Sequence, residues 1–123
     1  MKIRSHYKLD VYKIAFDCAN LIFETSKNFP KDERYSLTDQ IRRSSRSVCA
    51  NLSEAFRKRR YPKSFIAKIV DSEAEAAETQ TWLDFALKCE YIKPQLHKEL
   101  FEKYDRILGK LVNMTRQADK WTV

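Results

Sequence analysis

Between Leu37 and Phe56, apolar and small residues return every three or four positions, a period that only a helix gathers on one face. With Ile41 at zero and about 100° per residue, Leu37, Ser45, Val48, Leu52, Ala55 and Phe56 fall within roughly 60° of it. A strand would divide the same residues between two faces. The opposite side, roughly 140° away, carries Arg42, Arg43, Arg46, Arg57 and Arg60, with the small Ala50 and Ser53 between them. The expectation is a helix that buries one stripe and turns a flat basic strip outward, suited to phosphates or to a neighbouring subunit's carboxylates.

The remainder of the chain argues for the same class. One glycine, three prolines and a charged fraction of 33%, with many Ala, Leu, Glu, Lys and Arg, make the composition of long helices rather than of a turn-rich sheet protein. At 123 residues the chain is expected to be one domain, 1–123, with a core that needs neither disulfide nor metal. Lys and Arg number 24 against 17 Asp and Glu, a net charge of +7, so polyanions are attracted at low salt. Cys18, Cys49 and Cys89 stand singly, and an odd count without CxxC predicts reduced thiols rather than a disulfide framework. The start, MKIRSHYKLDVYK, lacks the apolar run of a signal peptide, and no apolar stretch approaches about 18 residues. A soluble, cytoplasmic protein that does not enter a membrane is the expectation.

From about Leu9 to Ser26, polar residues Asp10, Lys13, Asp17, Asn20 and Glu24 recur every three or four positions and leave nearly everything between them apolar. A helix apolar over most of its circumference is buried on two sides. One side is Tyr12, Phe16, Ala19 and Phe23; the other is Val11, Ile14, Cys18 and Leu21. In so small a chain the second side predicts an oligomer interface, placed on Val11, Ile14 and Cys18. The run NFPKDER, Asn28 to Arg34, reads as a solvated loop that ends this helix at Pro30. Ser36 and Asp39 resemble a capping arrangement for a second helix, Leu37 to about Lys58.

Arg59 to Pro62 break the pattern before a third helix opens near Lys63 or Ser64. Centred on Ile66, its stripe holds Phe65, Ile69, Ala76, Leu83 and Leu87, with Glu73 and Gln80 inside it. Those two predict a hydrogen bond to Asn51 across the core, because an unpaired buried polar group is costly. The outer face of the same helix carries Asp71, Glu75 and Glu78, then Trp82, Phe85 and Cys89. Acid beside aromatic reads as a contact surface, opposite in sign to the basic strip. After a turn at Tyr91 to Lys93, Pro94 opens a fourth helix whose apolar positions, Leu96, Leu100, Tyr104, Ile107, Leu108, Leu111, Met114 and Ala118, run to Trp121. Short connections between four long helices predict an all-α, antiparallel up-down-up-down four-helix bundle.

Motifs of catalysis and of cofactor or metal binding are absent: no Gly-rich phosphate loop, HExxH, GxSxG or paired-cysteine site occurs. His6 and His97 lie far apart, and EAEAAE, Glu73 to Glu78, lacks the Glu-x-x-His pairs of di-iron bundles. Neither an enzyme nor a bound cofactor or metal is expected.

The run FPKDERYSLTDQIRRSSRSVCANLSEAFRKRRYPKSF, followed by DSEAEAAETQTWLDFALKCEYI, resembles the four-helix-bundle family encoded by intervening sequences of bacterial large-subunit (23S) ribosomal RNA genes. The resemblance rests on Phe29 and Pro30, QIRRS from Gln40, NLSEA from Asn51, and the spacing of Glu78, Leu83 and Ala86. Many relatives carry Gly where this chain has Ala55, which stabilises a helix interior. Accessory variability determinants of diversity-generating retroelements are similar in fold. That resemblance implies a ring-like homopentamer that binds nucleic acid and, in retroelements, a reverse transcriptase.

Two functions follow. In the first, a non-enzymatic homo-oligomer grips nucleic acid, RNA in particular, by its backbone phosphates through Arg42, Arg43, Arg46, Arg57, Lys58, Arg59, Arg60 and Lys63. Repetition of this patch around a ring raises affinity by avidity, and Tyr61 is the one evident stacking candidate, with plain packing of the loop as its other and more common role. In the second, a structural or adaptor oligomer with a protein partner, the same arginines pair with Asp71, Glu75 and Glu78 of a neighbour, beside Trp82 and Phe85.

Overall fold

A computed structural model describes residues 5–122, so Met1 to Arg4 and Val123 lie outside the described residues. The described chain forms five helices, α1 (Asp10–Ser26), α2 (Leu37–Arg57), α3 (Pro62–Lys88), α4 (Pro94–Arg116) and the short α5 (Ala118–Trp121), and no strand. Single 3-10 turns at His6–Lys8 and Lys31–Glu33 precede α1 and α2. No helix among the described residues is long and apolar enough to cross a membrane.

The helix boundaries have local causes. Pro62 and Pro94 stand at the first positions of α3 and α4, where a missing N–H costs nothing, and Tyr61 and Lys93 before them are extended. The cap of α2 departs from expectation: the Ser36 side chain caps nothing, and Glu33 does the work. Glu33 Oε1 accepts from the Ser36 hydroxyl at 2.5 Å and from the Leu37 N–H at 3.3 Å. The run read as a solvated loop therefore contains the start signal of α2. At the end of α3, Glu90 adopts φ 62°, while Tyr91 N–H reaches Ala86 O at 2.8 Å and Glu90 N–H reaches Leu87 O at 2.9 Å. This is the left-handed helix termination that glycine usually serves. The fourth helix does not continue to Trp121; Gln117 leaves helical geometry at φ −114°, ψ 33°, and α5 then packs on α3 as well as α4.

Each long helix packs against two others: α1 against α2 and α4, α3 against α2 and α4. Tyr104, Phe65, Ile22, Ile41, Leu52, Ile69, Leu83, Leu100, Ile107 and Leu111 fill the middle. The stripe of α2 is buried as its period requires, from Leu37 through Phe56. In α3 the buried stripe is rotated from the expected one. Ser72, Thr79 and Ala86 are buried beside Phe65, Ile69, Ala76 and Leu83, while Ile66, Glu73, Gln80 and Leu87 sit at its margin.

The reason is a seam of small residues. Ser72 donates to Val48 O at 2.8 Å and Thr79 to Ser44 Oγ at 2.8 Å, so small hydroxyls with partners line the close α2–α3 contact and longer polar side chains are left at its edge. The expected bond from Asn51 to Glu73 or Gln80 is consequently not made. Asn51 donates to Ser47 O at 2.9 Å and accepts from Lys68 at 3.4 Å, while Gln80 reaches α4, donating to Phe101 O at 3.1 Å and Asp105 Oδ1 at 2.9 Å. Burial raises the Glu73 carboxyl pKa.

The two sides of α1 also separate differently. Val11 and Cys18, expected at an oligomer interface, are 4% and 2% exposed within one subunit, and Ile14 packs partly buried against the same core. What α1 and the 3-10 turn before it show outward is an aromatic row: the Tyr7 and Tyr12 rings are 5.6 Å apart, the Tyr12 and Phe16 rings 5.9 Å, and Tyr7 and Phe16 are exposed.

Candidate nucleic-acid interface

The basic strip of α2 is divided by its neighbours. Arg42 turns toward α1, where its Nε donates to Ser26 Oγ at 2.7 Å and its guanidinium lies 4.6 Å from the Phe23 ring centre. Arg46 covers the same ring at 4.9 Å, and Lys27 does so at 4.9 Å from α1 itself. Three cations around one aromatic face hold the two arginines in place with their charge intact. No sequence signal marks Phe23 for this role, because the pairing crosses two helices.

Arg43 turns the other way, toward α3. Its Nη1 bonds Glu75 Oε2 at 2.8 Å and its Nη2 bonds Glu78. The expectation that this arginine meets Glu75 and Glu78 of a neighbour is thus corrected: one chain supplies all three. Asp71 is likewise engaged within the chain, 3.8 Å from Lys68, which also bonds Glu54 at 2.6 Å. Helix-to-helix spacing explains this, since α2 and α3 are adjacent and their facing side chains meet before any second subunit can.

The turn between α2 and α3 is different. Arg57, Lys58, Arg60 and Lys63 are exposed and make no ion pair among the described residues. Arg59 is half-buried, its guanidinium 3.7 Å from the Phe56 ring centre and its Nε donating to Phe56 O at 3.0 Å. Tyr61 is 59% exposed, with Arg60 5.7 Å from its ring centre. The first turn of α3 holds no acidic residue and no side-chain cap, so its positive dipole end adds to the same cluster. Within seven residues the chain presents four outward cations and one aromatic plane.

The acidic and aromatic face of α3 ends at Trp82 and Phe85, whose rings are 5.9 Å apart. Phe85 is exposed; Trp82 is half-buried and its indole N–H has no partner among the described residues. With Tyr35, Leu37 and Cys89 these rings line a shallow cavity of about 410 Å³ that Glu33 and Gln40 edge. Elsewhere, His97 Nε2 lies 2.8 Å from Asp84 Oδ1, joining α4 to α3. No three His, Cys, Asp or Glu residues among those described come together as a metal-ligand group.

The sequence profile of the 23S rRNA-intervening sequence protein family matches residues 7–113, which takes in α1, α2 and α3 whole and α4 up to Asn113. The chain belongs to that family. As a member of the 23S rRNA-intervening sequence proteins it is similar in structure to a crystallised protein of unknown function from the S23 ribosomal protein family of Bacteroides thetaiotaomicron. The two superpose with a TM-score of 0.78 at 25% identity, over 86% of this chain and 95% of that one. No curated protein matches the chain. The match spans both faces of α2 and the whole α2–α3 turn, so this family member carries its basic cluster inside the shared region.

Proposed function

We propose that this chain is a non-enzymatic, homo-oligomeric nucleic-acid-binding protein of the cytoplasm that takes hold of RNA by its backbone phosphates. The observation that carries the reading is the α2–α3 turn. Arg57, Lys58, Arg60 and Lys63 are exposed together beside a helix start that has no side-chain cap, and none of them makes an ion pair among the described residues, Glu54 being the one carboxylate whose charge reaches Lys58. Arginine forks and ammonium groups suit phosphate oxygens, while nothing there is arranged to read base edges in a groove, so binding is weakly sequence-specific. Arg42 and Arg46, held on Phe23, extend the positive track along α2, roughly 16 Å from Arg46 to Arg57 at 1.5 Å per residue. Arg43 belongs to the fold rather than to the grip.

The long helices are proposed to run up-down-up-down as an antiparallel bundle. Support comes from partner order: Ser26 meets Arg42, Ser44 meets Thr79 while Val48 meets Ser72, and Asp84 meets His97 while Gln80 meets Phe101. The oligomer is proposed as a ring of five, in the manner of the accessory variability determinants the chain resembles. The exposed aromatics Phe16, Tyr35 and Phe85 supply the apolar area for contact between copies.

The test is filter binding of single-stranded RNA across a salt series, with the mass in solution measured by light scattering. For the intact chain, log K falls with log salt by about 0.7 per phosphate neutralised. The double substitution Arg57→Ala, Arg60→Ala lowers that slope by about 1.4 without changing the mass. Affinity indifferent to salt, or no binding at low salt, overturns the reading. An intact assembly that binds no polyanion selects the adaptor with a protein partner.

A further inference from the structure

The groove between the beginning of α1 and the end of α4 belongs to none of the surfaces described above. It encloses about 320 Å³. That is near the lower bound, roughly 300 Å³, of small-molecule sites, so it accommodates one nucleotide-sized body and not a length of strand.

Its walls come from three elements. Leu9, Val11 and Met114 form an apolar floor, each at most 5% exposed, and Trp121 of α5 contributes an aromatic plane. Asn113 of α4 and Gln117, the residue that ends it, bring two exposed carboxamides whose side chains have no hydrogen-bond partner among the described residues. Lys8, from the 3-10 turn before α1, and Lys110, from α4, bring two positive charges from separate elements, neither in an ion pair with a described residue. Asp10 is the one acidic residue of the lining.

These groups together call for a ligand with three parts: a flat π surface, an edge alternating donors and acceptors, and an anion. Inorganic phosphate uses only the lysines. An acidic peptide or a lipid headgroup offers the anion without the plane and the edge. A nucleoside monophosphate has all three. We infer that the groove is a nucleotide site, with the base stacked on Trp121, its edge hydrogen-bonded by Asn113 and Gln117, and its phosphate between Lys8 and Lys110. Stacking and amide-to-base bonding are the ordinary means by which proteins hold an unpaired base. Asp10 accepts from ribose hydroxyls, which places the sugar between base and phosphate and keeps the phosphate on the lysine side. The nucleotide is either free or the 5′-terminal residue of an RNA strand. None of these residues lies in the α2–α3 turn, so this site and the phosphate grip stand or fall separately.

The experiment titrates adenosine 5′-monophosphate into the full-length chain carrying Trp82→Phe, so that tryptophan emission reports Trp121 alone, with titration calorimetry as a second readout. Saturable binding is expected, weakened about tenfold or more by Asn113→Ala and by Lys110→Ala, with inorganic phosphate and adenosine each binding less well. These are surface substitutions, and circular dichroism verifies that each variant is folded. Short RNAs with and without a 5′-phosphate then separate the sources. A preference for the phosphorylated strand that disappears in Lys8→Ala, Lys110→Ala assigns the strand end; monophosphate binding without that preference assigns the free nucleotide. No saturable binding of the monophosphate, or equal binding of phosphate alone, overturns the site, and neither result touches the salt-dependent RNA binding of the turn.

Discussion

Tyr91 donates its phenolic hydrogen to Glu33 Oε2 at 2.9 Å, across 58 residues of sequence, and so ties the α3–α4 turn to the residue that caps α2. The Phe29 ring lies 5.5 Å from Tyr91 and closes the same corner with apolar contact. Glu33 thus serves three donors: a hydroxyl beside it, the first N–H of a helix, and a phenol from the far side of the chain.

Replacing Glu33 by Ala is expected to cost about 1 kcal/mol, the usual value of a lost helix cap, seen as a lower urea midpoint. The Ser36 and Tyr91 hydroxyls hold the Glu33 carboxyl below its ordinary value of 4.5. A depressed carboxylate stabilises the fold above its unfolded value and loses that contribution as pH falls through the folded one. Wild-type stability should therefore decline below about pH 4.5 more steeply than that of Glu33→Ala. At the other end, Glu33 pushes the Tyr91 hydroxyl from 10.0 up to about 12, so its contribution is full below pH 10 and is lost as pH rises toward 12. In Tyr91→Phe that alkaline loss should be absent.

Arg43 should behave as a residue of the fold. In a double-mutant cycle of Arg43→Ala with Glu75→Ala, denaturation should report a coupling of about 0.5 to 1 kcal/mol, modest because the guanidinium side is 44% exposed. The mass in solution should not change. Coupling near zero with a change of mass would return Arg43 to the intersubunit role.

Two backbone positions leave stability unclaimed. Gly109 is on an exposed part of α4, and a Cβ there meets nothing within 4 Å, so Gly109→Ala should raise stability by about 1 kcal/mol. Glu90 sits at φ 62°, costing roughly 1–2 kcal/mol for a residue with a Cβ. Glu90→Gly should recover part of that, about 0.5 kcal/mol or more after the added freedom of the unfolded chain. Thermal melts measure both.

The three thiols should separate in a labelling experiment. Cys89 is exposed, whereas burial pushes Cys18 up to about 11 and Cys49 to about 12. At pH 8 a thiol reagent should modify Cys89 first in the native protein, the half-buried Cys49 far more slowly, and Cys18 only on unfolding, because the thiolate is the reactive form. Native-state labelling of Cys49 at a rate near that of Cys89 would contradict this burial.

Amino-acid order alone determined the four long helices and the buried stripe of α2, since an apolar period of three to four residues and Pro94 at a first helical position act within a single segment, whereas Pro62, read as part of the break, opens α3 and the run to Trp121 divides at Gln117. The residues of the α2–α3 turn were legible for the same reason: RKRRYPK lies between two helices and brings no acid of its own. Tertiary structure decided what crosses from one helix to the next. It assigned Arg43 to Glu75 and Glu78, set Arg42 and Arg46 on Phe23, turned Val11 and Cys18 inward, rotated α3 onto Ser72 and Thr79, and gave the cap of α2 to Glu33. A helical wheel records the angle of each side chain about its own axis but not the neighbour toward which that angle points. Charges and hydroxyls find their partners only when the axes are packed, so which cations remain for a ligand is a property of the assembled helices.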